Sequence, residues 1–384
     1  MIKRVAILLL CCLTFVLAPS RALGEDDDWN DIGDNYYTVK LESGEALFTV
    51  GAAVYVDDQY ISGDNKRYVV TQVDAENYTA TARYDSDEEM PAIDWLKPAF
   101  APVSSDTSGG SGDRLIAIYA THTDESYVPS DGTSSEDDGG GILDVADALK
   151  SAFEKQGVTA VIDTTSHLPH DSGAYRRSRQ TAVSLMKKMP DALIDVHRDG
   201  IPSAEEYLTE VEGVDTTQVR LLVGRSNQNS EANKEFAKSI KAVADEQYPG
   251  LIKDIFIGKG TYNQDLTPNA ILLEFGTHTT SKERAIKATD MIATSMTSVL
   301  YGSGAADGVG SNTGSKAAVQ SGNSGVGKGI LFLVIFVVVA ALAYAFLATG
   351  SGKGMMEKLK RNTSELTGGL LGKKPDNDRG GDES

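Results

Sequence analysis

The sequence predicts an α/β layered sheet, preceded by a small β domain and followed by one transmembrane helix. Three observations predict it. Between residues 114 and 301, short apolar runs alternate with stretches of helical period. Residues 35–99 hold alternating runs broken by Gly, Asp and Asn, and residues 329–348 form one uncharged apolar segment. Alternation of strands and helices marks a layered sheet, period-two runs between turn residues mark a small antiparallel β unit, and a long charge-free run marks a span.

In the first region the runs YYTVKL, ALFTVGAAVYV, RYVVTQV and YTATARY read as strands. They hold no histidine and no evident chemistry, so a binding or spacer module with an acidic leader, residues 23–99, is expected there. FAPVSSDTSGGSGD, residues 100–113, is a Ser/Gly linker. Next, LIAIYA reads as a strand. ILDVADALKSAFEKQG reads as a helix with Val145, Leu149, Ala152 and Phe153 on one face and Gly157 as its stop. VTAVIDT follows as a strand, RRSRQTAVSLMKKM as a helix, and ALIDV and VRLLVG as strands. EANKEFAKSIKAVADEQ is the next helix, DIFIG and AILLEFG are further strands, and SKERAIKATDMIATSMTSVLY closes the unit as a helix.

At the two ends the composition changes. Residues 1–22 carry Lys3 and Arg4, then the apolar VAILLLCCLTFVLA, then Ser20-Arg21-Ala22, the pattern of a secretory signal. Both cysteines, Cys11 and Cys12, lie inside it, so disulfides are not expected to stabilise the mature chain. Residues 302–328 are a Gly/Ser-rich linker. At about 1.5 Å per residue, the apolar run from Ile330 to Ala348 spans roughly 28 Å, close to the hydrocarbon thickness of a bilayer. Lys353, Lys358, Lys360, Arg361, Lys373 and Lys374 follow it, which places the tail 349–384 in the cytoplasm and the globular unit outside. The expectation is a single-pass protein of the cell membrane with its catalytic unit extracytoplasmic. A net charge of -19 and a pI near 4.7 exclude a partner that needs a run of neutralised phosphates, so no nucleic acid is expected.

All five histidines belong to residues 114–301. His122 follows LIAIYA, His197 follows ALIDV, and Glu274 sits within AILLEFG. Residues at strand ends gather in the crevice at the carboxyl edge of an α/β sheet, where ligands bind. Two imidazoles and two carboxylates, counting Glu125 of THTDESY, suffice for a hydrolytic zinc site: three ligands, an open position for water, and a base. His122 and His197 are the first candidate ligands. Glu274, embedded between apolar neighbours, is costly to bury unless paired, and burial raises its pKa toward that of a general base. His278 and the pair His167/His170 are candidates to orient substrate or support the ligands. Tyr175, Arg176, Arg177 and Arg179 form a basic turn that either meets a substrate carboxylate or opens a solvated helix.

The combination THTDESYVP, PHDSGAYRRSR, DVHRD, LVGRSNQN, YNQDLTP and LLEFGTHT resembles the stage II sporulation protein P family, over about residues 35–302. The catalytic domain of that family is similar to zinc-dependent N-acetylmuramoyl-L-alanine amidases. The resemblance implies a mixed, twisted sheet flanked by helices, one Zn2+, and cleavage of the amide between muramic acid and L-alanine of the peptidoglycan stem. It also implies endopeptidase action on cross-links and a lytic transglycosylase partner in sporulation engulfment. By motif match, His122, Glu125 and His197 would be the ligands and Glu274 the catalytic carboxylate. Three departures stand out. Ala120 occupies a position where members often carry His or Asn, and the clear anchor here is carboxyl-terminal rather than amino-terminal. In the broader amidases the glutamate ligand sits near the start of the first helix, where this chain has Gly140, Gly141 and Ile142, so Glu136 is a rival to Glu125. A zinc endopeptidase and a non-catalytic cell-wall-binding scaffold remain the alternatives to an amidase.

Overall fold

A computed structural model describes residue 32 and residues 35–93, 114–171 and 173–302. The expected signal segment, the linker 100–113, most of the linker 302–328, the apolar run 329–348 and the tail lie outside the described residues. Among the described residues, no helix is long and apolar enough to cross a membrane.

Five strands open the fold: β1 (Tyr37–Leu41), β2 (Ala46–Val50), β3 (Gln59–Ile61), β4 (Lys66–Asp74) and β5 (Thr79–Asp87). The α/β region contributes β6 (Leu115–Tyr119), α1 (Val128–Asp131), α2 (Ile142–Lys155), β7 (Thr159–Asp163), α3 (Ala174–Met186) and β8 (Ala192–Asp199). A hairpin of β9 (Leu208–Val211) and β10 (Val214–Thr217) follows, then β11 (Val219–Gly224), α4 (Ser230–Gln247), β12 (Ile252–Gly258), β13 (Ala270–Thr277) and α5 (Lys282–Tyr301). Apart from the hairpin these strands form one sheet in the order β2-β1-β5-β4-β3-β12-β11-β13-β8-β6-β7. The sheet is mixed: β7, β6, β8 and β13 run parallel to one another, β11 pairs antiparallel with β13, and β3 pairs antiparallel with β12.

Sequence reading set the strand-rich segment apart as a module. Here it continues the sheet of the α/β region. Three contacts reinforce the β3 to β12 seam. Lys241, fully buried on α4, donates to the Gly63 carbonyl at 2.9 Å. Arg225 donates to the buried Asp58 at 2.9 Å, and Arg220 donates to the Thr49 carbonyl at 2.9 Å. Composition could not reveal this, because an edge that accepts a distant strand looks like any other apolar run.

Strand alternation sorts the core into layers. Ile116, Ile118, Ile194, Val196, Leu221, Val223, Ile271 and Leu273 face α2, α4 and α5. On the other face, Ala117, Tyr119 and Leu193 meet Ala182 and Leu185 of α3, while Leu222, Phe256 and Leu272 meet Phe48, Val50 and Tyr60. Stacking of Phe48 on Tyr60 at 4.1 Å fixes that second contact. The run ALFTVGAAVYV does not stay in the sheet as one strand. Gly51 leaves it because its amide donates to Asp199 Oδ1 at 2.8 Å and its α-carbon abuts Gly200; a Cβ there would lie 2.6 Å from the Gly200 α-carbon.

Candidate metal centre and catalytic site

The register of three neighbouring strands assembles the site. Glu274 of β13 pairs with His197 of the parallel β8 on one side and with Arg220 of the antiparallel β11 on the other. These side chains therefore share the face opposite α2, α4 and α5. A bulge follows immediately: register shifts between Glu274 and Thr277, and Gly276 adopts φ +74. A Cβ at Gly276 would fall 2.5 Å from Thr280 Oγ1 and 2.7 Å from Thr217 Oγ1, so the bend that aims Glu274 requires glycine.

His122 enters from the loop after β6. That loop is clamped from below, since Gly140 and Ile142 at the start of α2 donate from their amides to the carbonyls of Thr123 and Glu125. A Cβ on Gly140 would collide with the Glu125 carbonyl, so the turn into α2 requires glycine there. Arg198 pins the same loop by donating to the carbonyls of Ser126 and Ser134 at 3.1 and 2.9 Å.

His122, Glu125, His197 and Glu274 line one cavity of about 620 Å³, together with Asp124, His170, Tyr175, Tyr262 and His278. Glu136 is exposed and lies off the lining, whereas Glu125 is buried, accepts from the Arg198 amide at 2.9 Å and has Oε1 3.4 Å from His197 Nδ1. His122 stacks on His170 at 3.9 Å and meets His197 edge-on at 5.3 Å.

Two buried imidazole nitrogens, His122 Nδ1 and His197 Nε2, make no hydrogen bond. The latter sits 3.0 Å from Asp195 Oδ1, close enough for charge attraction but out of line for a bond. A buried polar atom without a partner costs roughly 1–3 kcal/mol, and a metal is one group that satisfies an imidazole nitrogen. The residues thus fit a metal in two overlapping ways. One set is His122, Glu125 and His197. The other is His122, Asp124 and His170, whose donor atoms all lie within 4.8 Å of one another. In that second set, Asp124 and His170 already bond each other at 2.9 Å, and Ser135 donates to Asp124 at 2.6 Å.

Electrostatics divide the groups. Burial, reinforced by the neighbouring imidazoles of His170 and His197, drives the His122 pKa well down and keeps it neutral. Burial would also lower His197, but the carboxylates of Asp195 and Glu125 outweigh it and raise the pKa to about 10. Glu274 is pushed up to about 8, first by burial and then by the Asp199 carboxylate, against the pull of Arg220. Tyr207 donates to both Asp199 and Glu274, at 2.9 and 3.2 Å. Arg220, fully buried, donates to Asp199 at 2.7 Å and to both oxygens of Asp254 at 2.7 and 3.0 Å, with Glu274 3.6 Å away.

This has a measurable consequence for the metal-free chain. Between its ordinary value of 4.5 and about 8, folded Glu274 keeps a proton that the unfolded chain has released. Stability must therefore fall as pH rises through that window, by an amount on the order of a few kcal/mol. Urea titrations of metal-free full-length chain at pH 5 and pH 9 should show this decline added to the one that His197 contributes above its ordinary value of 6.5, and Glu274→Gln should remove the Glu274 share and leave a smaller decline. An equal decline in the variant would mean that Glu274 is not the group responsible.

Other candidates fall elsewhere. His167 is buried, bonded to the Ala120 carbonyl and to Thr181 Oγ1 at 2.9 Å each, and supports the β6 end without lining the cavity. The basic turn opens α3, where Arg176 is exposed but Arg177 and Arg179 turn inward. Arg177 bonds the carbonyls of His167 and Pro169, and Arg179 forms a two-pronged pair with Asp265 at 2.7 Å. Only Tyr175 of that turn reaches the cavity. Sequence reasoning passed over Asp195, Asp199 and Arg220. A signal existed for each: the aspartates alternate with His197 in ALIDVHRD, and Arg220 interrupts the apolar VRLLVG as Glu274 interrupts its own strand.

Comparison with known proteins follows the same lines. Residues 190-odd to 270-odd hold much of the site, and they fall inside a match to the stage II sporulation protein P family that spans residues 52–297. The stage II sporulation protein P of Bacillus subtilis (strain 168) is 31% identical over 186 residues, which make up 43% of this chain and 46% of that protein. The matched region thus spans under half the length of that relative. Among solved structures, N-acetylmuramoyl-L-alanine amidase AmiC2 of Nostoc punctiforme is similar at a TM-score of 0.33 and 17% identity, covering 49% of this chain and 97% of that one. The CwlD amidase of Clostridioides difficile, solved in complex with the GerS lipoprotein, is similar at 0.34 and 13%, covering 49% and 95%. With the family match extending over well more than half of its length, the chain belongs to the stage II sporulation protein P family.

Proposed function

We propose that the protein is a peptidoglycan hydrolase that cleaves the amide between N-acetylmuramic acid and L-alanine of the stem peptide, with zinc held by His122, Glu125 and His197. On this reading it acts in sporulation, tethered to the cell membrane through residues 329–348, with its catalytic unit extracytoplasmic and a lytic transglycosylase as partner. The observation that carries the chemistry is the unpartnered, buried His122 Nδ1 in a cavity that also holds His197, Glu125 and Glu274. Bound zinc supplies Lewis acidity, lowering the pKa of water toward neutrality and polarising the scissile carbonyl. Asp195 lies 3.0 Å from His197 Nε2, so on this reading Asp195 orients the ring from behind and the ligating nitrogen is Nδ1, the one beside Glu125. Glu274 takes the proton of the attacking water and returns it to the leaving amine. A carboxylate whose pKa lies near 8 suits both transfers, because neither protonation state is strongly preferred near neutrality. Tyr207 and Arg220 hold that carboxylate in place from the side away from His197.

Metal analysis of the full-length chain tests the ligand set. Wild type should bind one zinc. His122→Ala, Glu125→Gln and His197→Ala should each lose metal and activity together, because two protein ligands hold a catalytic zinc poorly. Asp124→Asn and His170→Ala should keep the metal. The reverse pattern, with metal lost in Asp124→Asn and His170→Ala but kept in Glu125→Gln and His197→Ala, would assign the ion to the His122, Asp124 and His170 set. Product analysis on purified cell wall tests the reaction, with freed stem peptides bearing an L-alanine amino end as the expected result. Cleaved cross-links alone would make the protein an endopeptidase.

A further inference from the structure

A second cavity of about 620 Å³ opens beside the first and is lined by Tyr37, Tyr55, Tyr78, Val56, Arg225 and Lys259 among others. Arg225 follows the end of β11 and Lys259 follows the end of β12, so both stand at the carboxyl ends of a parallel strand pair. Because β11 runs antiparallel to β13, that edge lies opposite the strand ends that carry His122 and His197. What ties the second cavity to the first is a shared wall. Tyr36, Gly51 and Ala52 line the catalytic side, while Tyr37 and residues 53–56 line the other.

The chemistry of the second cavity is distinct. Among the described residues, two cations and no carboxylate line it, in a chain of net charge -19. Arg225 is held by the buried Asp58 at 2.9 Å and by the Val56 carbonyl, and the exposed Lys259 ammonium lies 4.6 Å from the centre of the Tyr55 ring. Tyr37 and Tyr78 meet edge-on at 5.6 Å. Tyr78 adopts φ +49, and so does Tyr262 in the catalytic cavity. A bulky residue in the left-handed region is held there against its own preference, and such positions gather at ligand sites. Aromatic faces with cations at the rim suit a sugar ring that carries a carboxylate.

We propose that this second cavity binds a carboxylated sugar of the glycan strand, namely a muramic acid from which the stem peptide has already been removed. The identity of the sugar rests on the amidase reading of the first cavity. Hydrolysis there adds water across the amide, so the lactyl group stays on the strand as a carboxylate and the stem leaves as an amine. Each cut converts a neutral acyl group on the strand into an anion. Arg225 and Lys259 recognise that anion while Tyr55 supports the ring. The site thus favours strands on which neighbouring stems have been removed.

The test uses full-length chain carrying Glu274→Gln, so that strands stay uncut, and equilibrium binding to stem-free glycan strands. Conversion of the lactyl carboxylates to neutral methylamides should weaken binding by about tenfold. Lys259→Gln and Tyr55→Ala should each weaken binding of the acidic strands by about tenfold and leave cleavage of a single muramoyl-peptide, measured with Glu274 intact, within about twofold of wild type. Equal affinity for acidic and neutralised strands would overturn the proposal, as would unchanged affinity in both variants. If intact protein cleaves no muramoyl-peptide while the binding pattern holds, the amidase reading falls and the carboxylated-sugar site stands.

Discussion

Glu274→Gln is expected to retain metal and fold while lowering turnover on peptidoglycan by roughly 10²-fold or more, the usual scale for a positioned proton acceptor. The substitution preserves size and can still accept from Tyr207, so the bonds at Asp199 and Arg220 survive. What it removes is the carboxylate assigned to take a proton from water in the cavity beside His197. Metal content and product release, measured on the same preparation, separate this from loss of a ligand. Wild-type cleavage with metal bound would sink the assignment of Glu274 as base while leaving family membership untouched. A parallel loss of metal would instead move Glu274 into the coordination sphere.

Arg220→Leu should destabilise the protein more than any change at the cavity surface. Its guanidinium is fully buried and answers Asp199 and Asp254 directly, with Glu274 3.6 Å away and Thr49 beyond the seam. Removing it leaves buried carboxylates without their cation, a change that costs about 3–5 kcal/mol. A domain of this size is stable by about 5–15 kcal/mol in total. Thermal denaturation of the full-length chain should fall by roughly 10 °C or more. Arg220→Lys should rescue only part of the loss, because an ammonium cannot reproduce the two-pronged bond to Asp254 together with the bond to Asp199. A melting temperature within about 2 °C of wild type would show that the network does not hold these strands together.

Much of this architecture can be read from period alone. The runs ending in His122 and His197, and the run containing Glu274, are strands of one sheet, and their ends do converge on one cavity. Local rules succeed there because each signal, an apolar run followed by a polar residue, lies within a few positions. They fail where the cause is distant. Nothing in ALFTVGAAVYV announces that Gly51 must leave its strand to meet Asp199, and nothing in QYI announces a partner in β12. The hairpin of β9 and β10 escaped for a different reason: its strands are short and polar, with Glu212 and Gly213 at positive φ making the turn. Arg177 and Arg179 are ambiguous in sequence because an exposed cation and one bonded to a backbone carbonyl or a distant carboxylate have the same sequence neighbours.

The seam between β3 and β12 also dictates an order of assembly. Lys241 and the Gly63 carbonyl it holds are 178 residues apart along the chain, and Gly51 is 148 residues from Asp199. Pairings of such long range form slowly, since the connecting chain must be closed before any contact rewards it. A polypeptide that emerges amino terminus first therefore carries five paired strands whose β3 edge has no neighbour until β12 appears. His122 is delivered early, but the cavity wall at Gly51 closes only after β8, and the edge that supports it waits for β12. The complete site thus arrives late and all at once, so a chain interrupted before β13 would hold His122, Glu125 and His197 without Glu274.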